Sequence, residues 1–133
     1  NTLIKHISIP FKIDDLYEGL AESIGILRFD GKELHFEFQT KDSFIGIIKS
    51  EVKQIRLKIN EIRSITFDKG WFSTKIIIST VSLTNTKNFP GGPRDEFKLK
   101  IEKKYREDAQ QLISYINLMM SETRLNEIES ENP

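Results

Sequence analysis

The chain has no cysteine, so neither a disulfide nor a thiolate metal site can help to hold its 133 residues together. That absence fits a reducing compartment, and the expected location is the cytoplasm, extending to the inner face of a membrane. No apolar run approaches the roughly 18 residues that a membrane-crossing helix needs. The first residue is Asn1 rather than Met, as expected of a processed product or of a domain cut from a longer chain, and nothing there resembles a signal peptide. There are only two histidines, His6 and His35. Each falls on the polar side of an expected strand, without a second histidine or an acid at metal-ligand spacing, so both are expected at the surface and no metal site is expected. No serine sits in a Gly-x-Ser-x-Gly elbow, and Gly91-Gly92 lacks the Lys-Ser/Thr that completes a phosphate-cradling loop. Catalysis and a bound cofactor are therefore not expected.

Net charge is also lacking, with 20 basic and 20 acidic side chains. A neutral chain is a poor generic binder of nucleic acid, whose affinity rests on neutralising phosphates. The balance is uneven along the chain. Residues 61–106 hold ten Lys/Arg against five Asp/Glu, whereas residues 107–133 hold one Arg against six acids. A local basic face and an acidic end are the physical content of that asymmetry.

What is present in quantity is alternation. Ile7, Ile9, Phe11 and Ile13 alternate with polar residues, as do Leu34, Phe36 and Phe38, then Ile55, Leu57 and Ile59, then Phe97, Leu99 and Ile101. With Ser23 to Phe29 and the segments on either side of Lys69-Gly70, this predicts seven strands. Pro10 marks the first as an edge or broken strand, because proline cannot donate to a ladder. Asp30-Gly31 and Lys69-Gly70 are expected hairpin turns. Thr84 to Glu96, with Pro90-Gly91-Gly92-Pro93, reads as the longest and most mobile loop. Phe44-Ile45-Gly46-Ile47-Ile48 reads as a buried crossover or an exposed apolar loop.

From Asp108 the period changes. Ala109, Leu112, Ile113, Ile116, Met119 and Met120 share one helical face, with Asp108 and Gln111 placed as a capping box. Burying five such side chains would contribute on the order of 7–15 kcal/mol as an upper bound, so the helix must dock. Residues 126–133 read as a polar, frayed tail behind a single domain of residues 1–125.

One segment stands out. Val52 to Ile65 runs through Asp68-Lys69-Gly70-Trp71-Phe72-Ser73-Thr74-Lys75, and with Phe89-Pro90-Gly91 and the stretch from Glu96 to Ala109 it resembles bacterial pleckstrin-homology-like (PH-like, GRAM-related) domains. The resemblance covers roughly Ser23 to Met120. It implies a mainly β (α+β) fold, a PH-like barrel of about seven antiparallel strands capped by one C-terminal amphipathic helix. It also implies an interaction module rather than an enzyme, acting by protein–protein contact with self-association. Lipid headgroup binding in such domains relies on a basic cluster at the first hairpin. Here Arg28 and Lys32 are interrupted by Asp30 and Glu33, so a phosphoinositide cage is not expected.

The candidate contact residues are Lys69, Trp71, Phe72, Lys75, Lys98 and Lys100. Trp71 and Phe72 are read as consecutive strand residues, of which at least one must face outward. Exposed sheet edges would supply further surface. The alternatives are contact with an anionic membrane through Lys98, Lys100, Lys103, Lys104 and Arg106, residues that otherwise read simply as the solvent side of an edge strand, and a small hydrophobic-ligand carrier. The carrier would need more strands and an open cavity.

Overall fold

A computed structural model of the chain describes residues 7–16, 19–42 and 51–131. It contains seven antiparallel strands in one sheet and a C-terminal α-helix, as the alternation and the change of period predict. The strands are β1 (Ser8–Leu16), β2 (Ala21–Phe29), β3 (Glu33–Asp42), β4 (Lys53–Lys58), β5 (Ile62–Lys69), β6 (Thr74–Thr80) and β7 (Glu96–Ile101). The helix α1 spans Arg106–Glu131. His6 and the Phe44–Ile48 segment lie outside the described residues.

The strand order is β4-β3-β2-β1-β7-β6-β5. Among the described residues the terminal strands β4 and β5 do not pair, so the fold is mainly β but the sheet is not a closed barrel. Pro10 lies on a central strand rather than an edge. β1 meets β7 through the single pair Lys12↔Lys100, and this accommodates a residue without an N–H, because the β7 side of Pro10 carries no ladder. On its other side β1 pairs with β2 over most of its length.

Alternation sorts the side chains as expected. Phe29, Phe36, Phe97, Leu34, Leu57 and Ile76 are almost completely inaccessible inside the sheet. Gly25 sits where space is tightest. A Cβ there would meet the Glu37 carbonyl, the Phe11 ring at 2.7 Å and Phe38 Cβ at 2.8 Å, so only glycine fits between these neighbours.

The helix docks by the predicted face. Ala109, Leu112, Ile113, Ile116 and Met120 are buried, and Met119 is half-buried. Its start differs from expectation. A 3₁₀ turn at Lys103–Tyr105 leads into Arg106, so Glu107 and Asp108 lie in the first turn, where they complement the dipole rather than cap it. The helix also runs to Glu131, with residues 126–131 helical and exposed.

The Thr84–Glu96 connection is anchored where mobility was expected. Leu83–Thr86 forms a 3₁₀ turn. Phe89 is buried, 4.4 Å from the Phe97 ring and 4.8 Å from Phe36 by centroids. Buried Thr86 donates through Oγ1 toward the Leu83 and Arg94 carbonyls, at 3.0 and 2.9 Å, and accepts from Arg94 N at 2.9 Å. Proline and glycine excluded strands here, but they did not prevent one aromatic from entering the core.

Candidate interaction site

The Lys69-Gly70 hairpin closes wider than a two-residue turn. Lys69 pairs with Thr74, leaving Gly70 to Ser73 as the tip. A Cβ on Gly70 would lie 2.7 Å from the Ser73 carbonyl oxygen, so glycine is what permits the tip to fold back. Trp71 and Phe72 thus fall in the loop and not in a strand. The strand argument, by which one could be outward and the other inward, does not apply. Trp71 is 90% exposed and Phe72 89% exposed. Their rings meet edge to face, 6.5 Å apart at 78°, touching each other and not the core.

The four candidate lysines fall around this tip. Lys69 lies at the rim opposite Thr74, and Lys75 opens the outer face of β6. Register then places Lys75 opposite Lys100, and Lys100 opposite Lys12, giving three cations in one row across β6, β7 and β1. Lys98 is two residues from Lys100 on the same outward face, across from Ile77. Like charges directly opposite one another are unfavourable unless compensated. Lys100 Nζ lies 2.6 Å from Asp14 Oδ2, and Lys12 lies 3.7 Å from Glu22. Lys69, Lys75, Lys98 and Lys103 have no ion-pair partner among the described residues.

Because β7 sits between β1 and β6, Lys98 and Lys100 do not belong to an edge strand. Two cations expected on the same face have other engagements. Lys104 lies 3.6 Å from Glu102 and 5.3 Å from the Tyr105 ring centre, while Arg106 Nε donates to Thr74 Oγ1 at 3.3 Å.

A groove of about 810 Å³ opens beside the tip, at the corner where β1 and β7 barely pair. Phe72 and Ser73 form one wall, Pro10, Ile24 and Ile26 contribute apolar surface, and Val52 lies toward the β3 side. Ile26 is 45% and Val52 57% exposed. Sequence reading missed this groove, because it arises from the near-split of the sheet. The exposed isoleucines on the polar side of β2 were its only trace.

The sheet edges offer less than expected. Asn117 Nδ2 donates to the Ile65 carbonyl at 3.1 Å, and Arg124 Nη2 reaches the Arg63 carbonyl at 3.4 Å beside a bulge in β5. The helix therefore occupies carbonyls along one edge, and the other edge strand, β4, carries Lys53, Arg56 and Lys58.

At the β2–β3 turn Asp30 accepts from the Lys32 and Glu33 backbone N–H groups, both at 2.8 Å, and lies 2.7 Å from His35 Nε2. Partial burial disfavours its charge, but the Glu33 N–H, the His35 ring and the Lys32 N–H outweigh burial and lower its pKa from 3.8 to about 2. Among the described residues no cluster of His, Cys, Asp or Glu could hold a metal, and no helix is long and apolar enough to cross a membrane. No protein-family model, curated protein or solved structure matches the chain.

Proposed function

We propose that this chain is a non-catalytic PH-like interaction module of the cytoplasm. It acts by protein–protein contact, including self-association, and uses neither cofactor nor nucleic acid. The seven antiparallel strands followed by one helix support the family reading. The observation that carries the function is the fully exposed Trp71–Phe72 pair at the hairpin tip.

Each such ring can bury roughly 150–250 Å². At about 25 cal/mol per Å², covering both would contribute on the order of 7–12 kcal/mol at most. Association itself costs about 4–15 kcal/mol. The tip alone therefore gives a weak contact, and the adjoining groove and lysines must add to it for a partner to stay bound.

The test replaces Phe72 by photoreactive benzoylphenylalanine in the native host. Peptide adducts that diminish in a Trp71→Ala background are the expected result. Lipid adducts, or none, would overturn the reading.

A second reading has its own observation, Lys69, Lys75, Lys98 and Lys103 without ion-pair partners among the described residues, at and below the aromatic tip. These suit an anionic membrane face, and vesicle binding that disappears in high salt would favour it. A hydrophobic-ligand carrier is left with the open groove alone, since Phe29, Phe36 and Phe97 fill the interior.

A further inference from the structure

The far end of α1 carries a second apolar stripe. Leu118, Leu125 and Ile128 are 54%, 58% and 54% exposed. At 100° per residue they share one face, nearly opposite the docked face of Ala109, Leu112 and Ile116. Glu122 and Glu129 border that stripe, and Glu127 and Glu131 add to the charge, with Arg124 the only cation from Ser121 onward. A helical end without packed neighbours is marginal in water, so this segment is suited to a partner.

These two exposed apolar features differ in their surroundings: Lys69 and Lys75, with Asp68 opposite Lys75, at the hairpin tip, and glutamates at the helix end. They also lie at opposite poles. α1 starts beside the tip, where Arg106 contacts Thr74, and runs antiparallel to β5 until Arg124 reaches Arg63 at the strand's other end. Within one chain they cannot meet.

We propose that the partner of the hairpin tip is the acidic end of α1 from a second copy of this chain, giving head-to-tail assembly. The inference rests on the Trp71–Phe72 tip being a protein contact, as above. Trp71 and Phe72 pack on the Leu118–Leu125–Ile128 stripe, while Lys75 and Lys98, on the outer face of β6 and β7, face Glu122 and Glu129. The contact is heterologous, so each added copy leaves one tip and one helix end free, and the products form a ladder rather than a closed dimer. The area is at the small end of specific interfaces, so the assembly is concentration-dependent.

Sedimentation velocity tests this with three proteins: wild type, Trp71→Ala/Phe72→Ala, and Leu125→Ala/Ile128→Ala. Wild type should show a sedimentation coefficient that rises with concentration in low salt and falls back in 0.5 M salt, on the scale of a Debye length of about 4 Å. Each variant alone should stay monomeric, with unchanged far-ultraviolet circular dichroism. An equimolar mixture should form a pair and nothing larger, because one variant retains the helix end and the other the tip. A charge exchange, Glu122→Lys/Glu129→Lys mixed with Lys75→Glu/Lys98→Glu, should restore association that either lacks alone.

Wild type that remains monomeric throughout, or a mixture that does not pair, would overturn the proposal. If Trp71 emission instead shifts to the blue only with anionic vesicles, a lipid surface is the occupant and both this inference and the protein-contact reading fall. If crosslinks from position 72 go to a foreign protein while wild type stays monomeric, the module reading stands and the head-to-tail inference alone fails.

Discussion

Gly25 is where the smallest side chain carries the largest consequence. Any Cβ there would run into the Phe11 ring, Phe38 Cβ and the Glu37 carbonyl together. Overpacking of this kind costs about 1–3 kcal/mol, so Gly25→Ala should lower the urea midpoint accordingly without changing the fold class. An unchanged midpoint would mean that these neighbours can shift freely. Asp30 shows the opposite case, a group whose effect depends on solution conditions. Its folded pKa is lowered to about 2 from 3.8, so its charged form favours the folded state. That contribution is fully present above about pH 4 and is lost as pH falls through about 2. Asp30→Asn keeps an acceptor oxygen but removes the charge. The stability gap between wild type and this variant, followed by urea titration, should therefore be constant above pH 5 and close between pH 4 and 2. At this scale the sequence was a good guide to identity and a poor one to setting. Asp30-Gly31 announced a turn, but not that the carboxylate would be fastened to His35 and two backbone amides.

At the level of elements, the helix is the clearest success of periodicity. The residues at steps of three and four from Ala109 to Met120 are the ones that dock, because burial of one stripe is what a 3.6-residue repeat encodes. Its ends were less legible. Capping signals at Asp108 were outweighed by the 3₁₀ turn before it, and the polar composition of residues 126–131 did not stop the helix. The helix also guards an edge. Asn117→Ala would free the Ile65 carbonyl and should cost about 1 kcal/mol in thermal or chemical unfolding. The loop around Phe89 was the least legible element, since proline and glycine state what the backbone cannot do and not what a side chain reaches. Phe89→Ala should destabilise by about 3–5 kcal/mol, a loss characteristic of a core aromatic and not of a mobile loop.

For the whole molecule, the outline of seven strands and one helix could be read from hydrophobic period alone, whereas their lateral order could not. Alternation fixes which face of a strand is buried but says nothing about which strand lies beside it. Hence Pro10 proved central, the lysines of β7 left the edge, and the groove went unseen. The Trp71–Phe72 tip was singled out by composition, yet its full exposure became evident only when both residues proved to be in the loop. Because neither ring touches the core, Trp71→Ala/Phe72→Ala should leave the melting temperature unchanged within the roughly 0.5 kcal/mol typical of surface changes. A clear drop would show that the rings support the fold. The single bridge between Lys12 and Lys100 has a further consequence, one of timing. Lys12 of β1 must find Lys100 of β7, 88 positions later along the chain. At about 5–20 residues per second, β1 to β4 emerge from the ribosome several seconds before β7. They can pair into a four-stranded half while the second half is still being made. Until β7 arrives, the β1 flank of that half presents unpaired N–H and C=O groups, an edge open to a neighbouring chain.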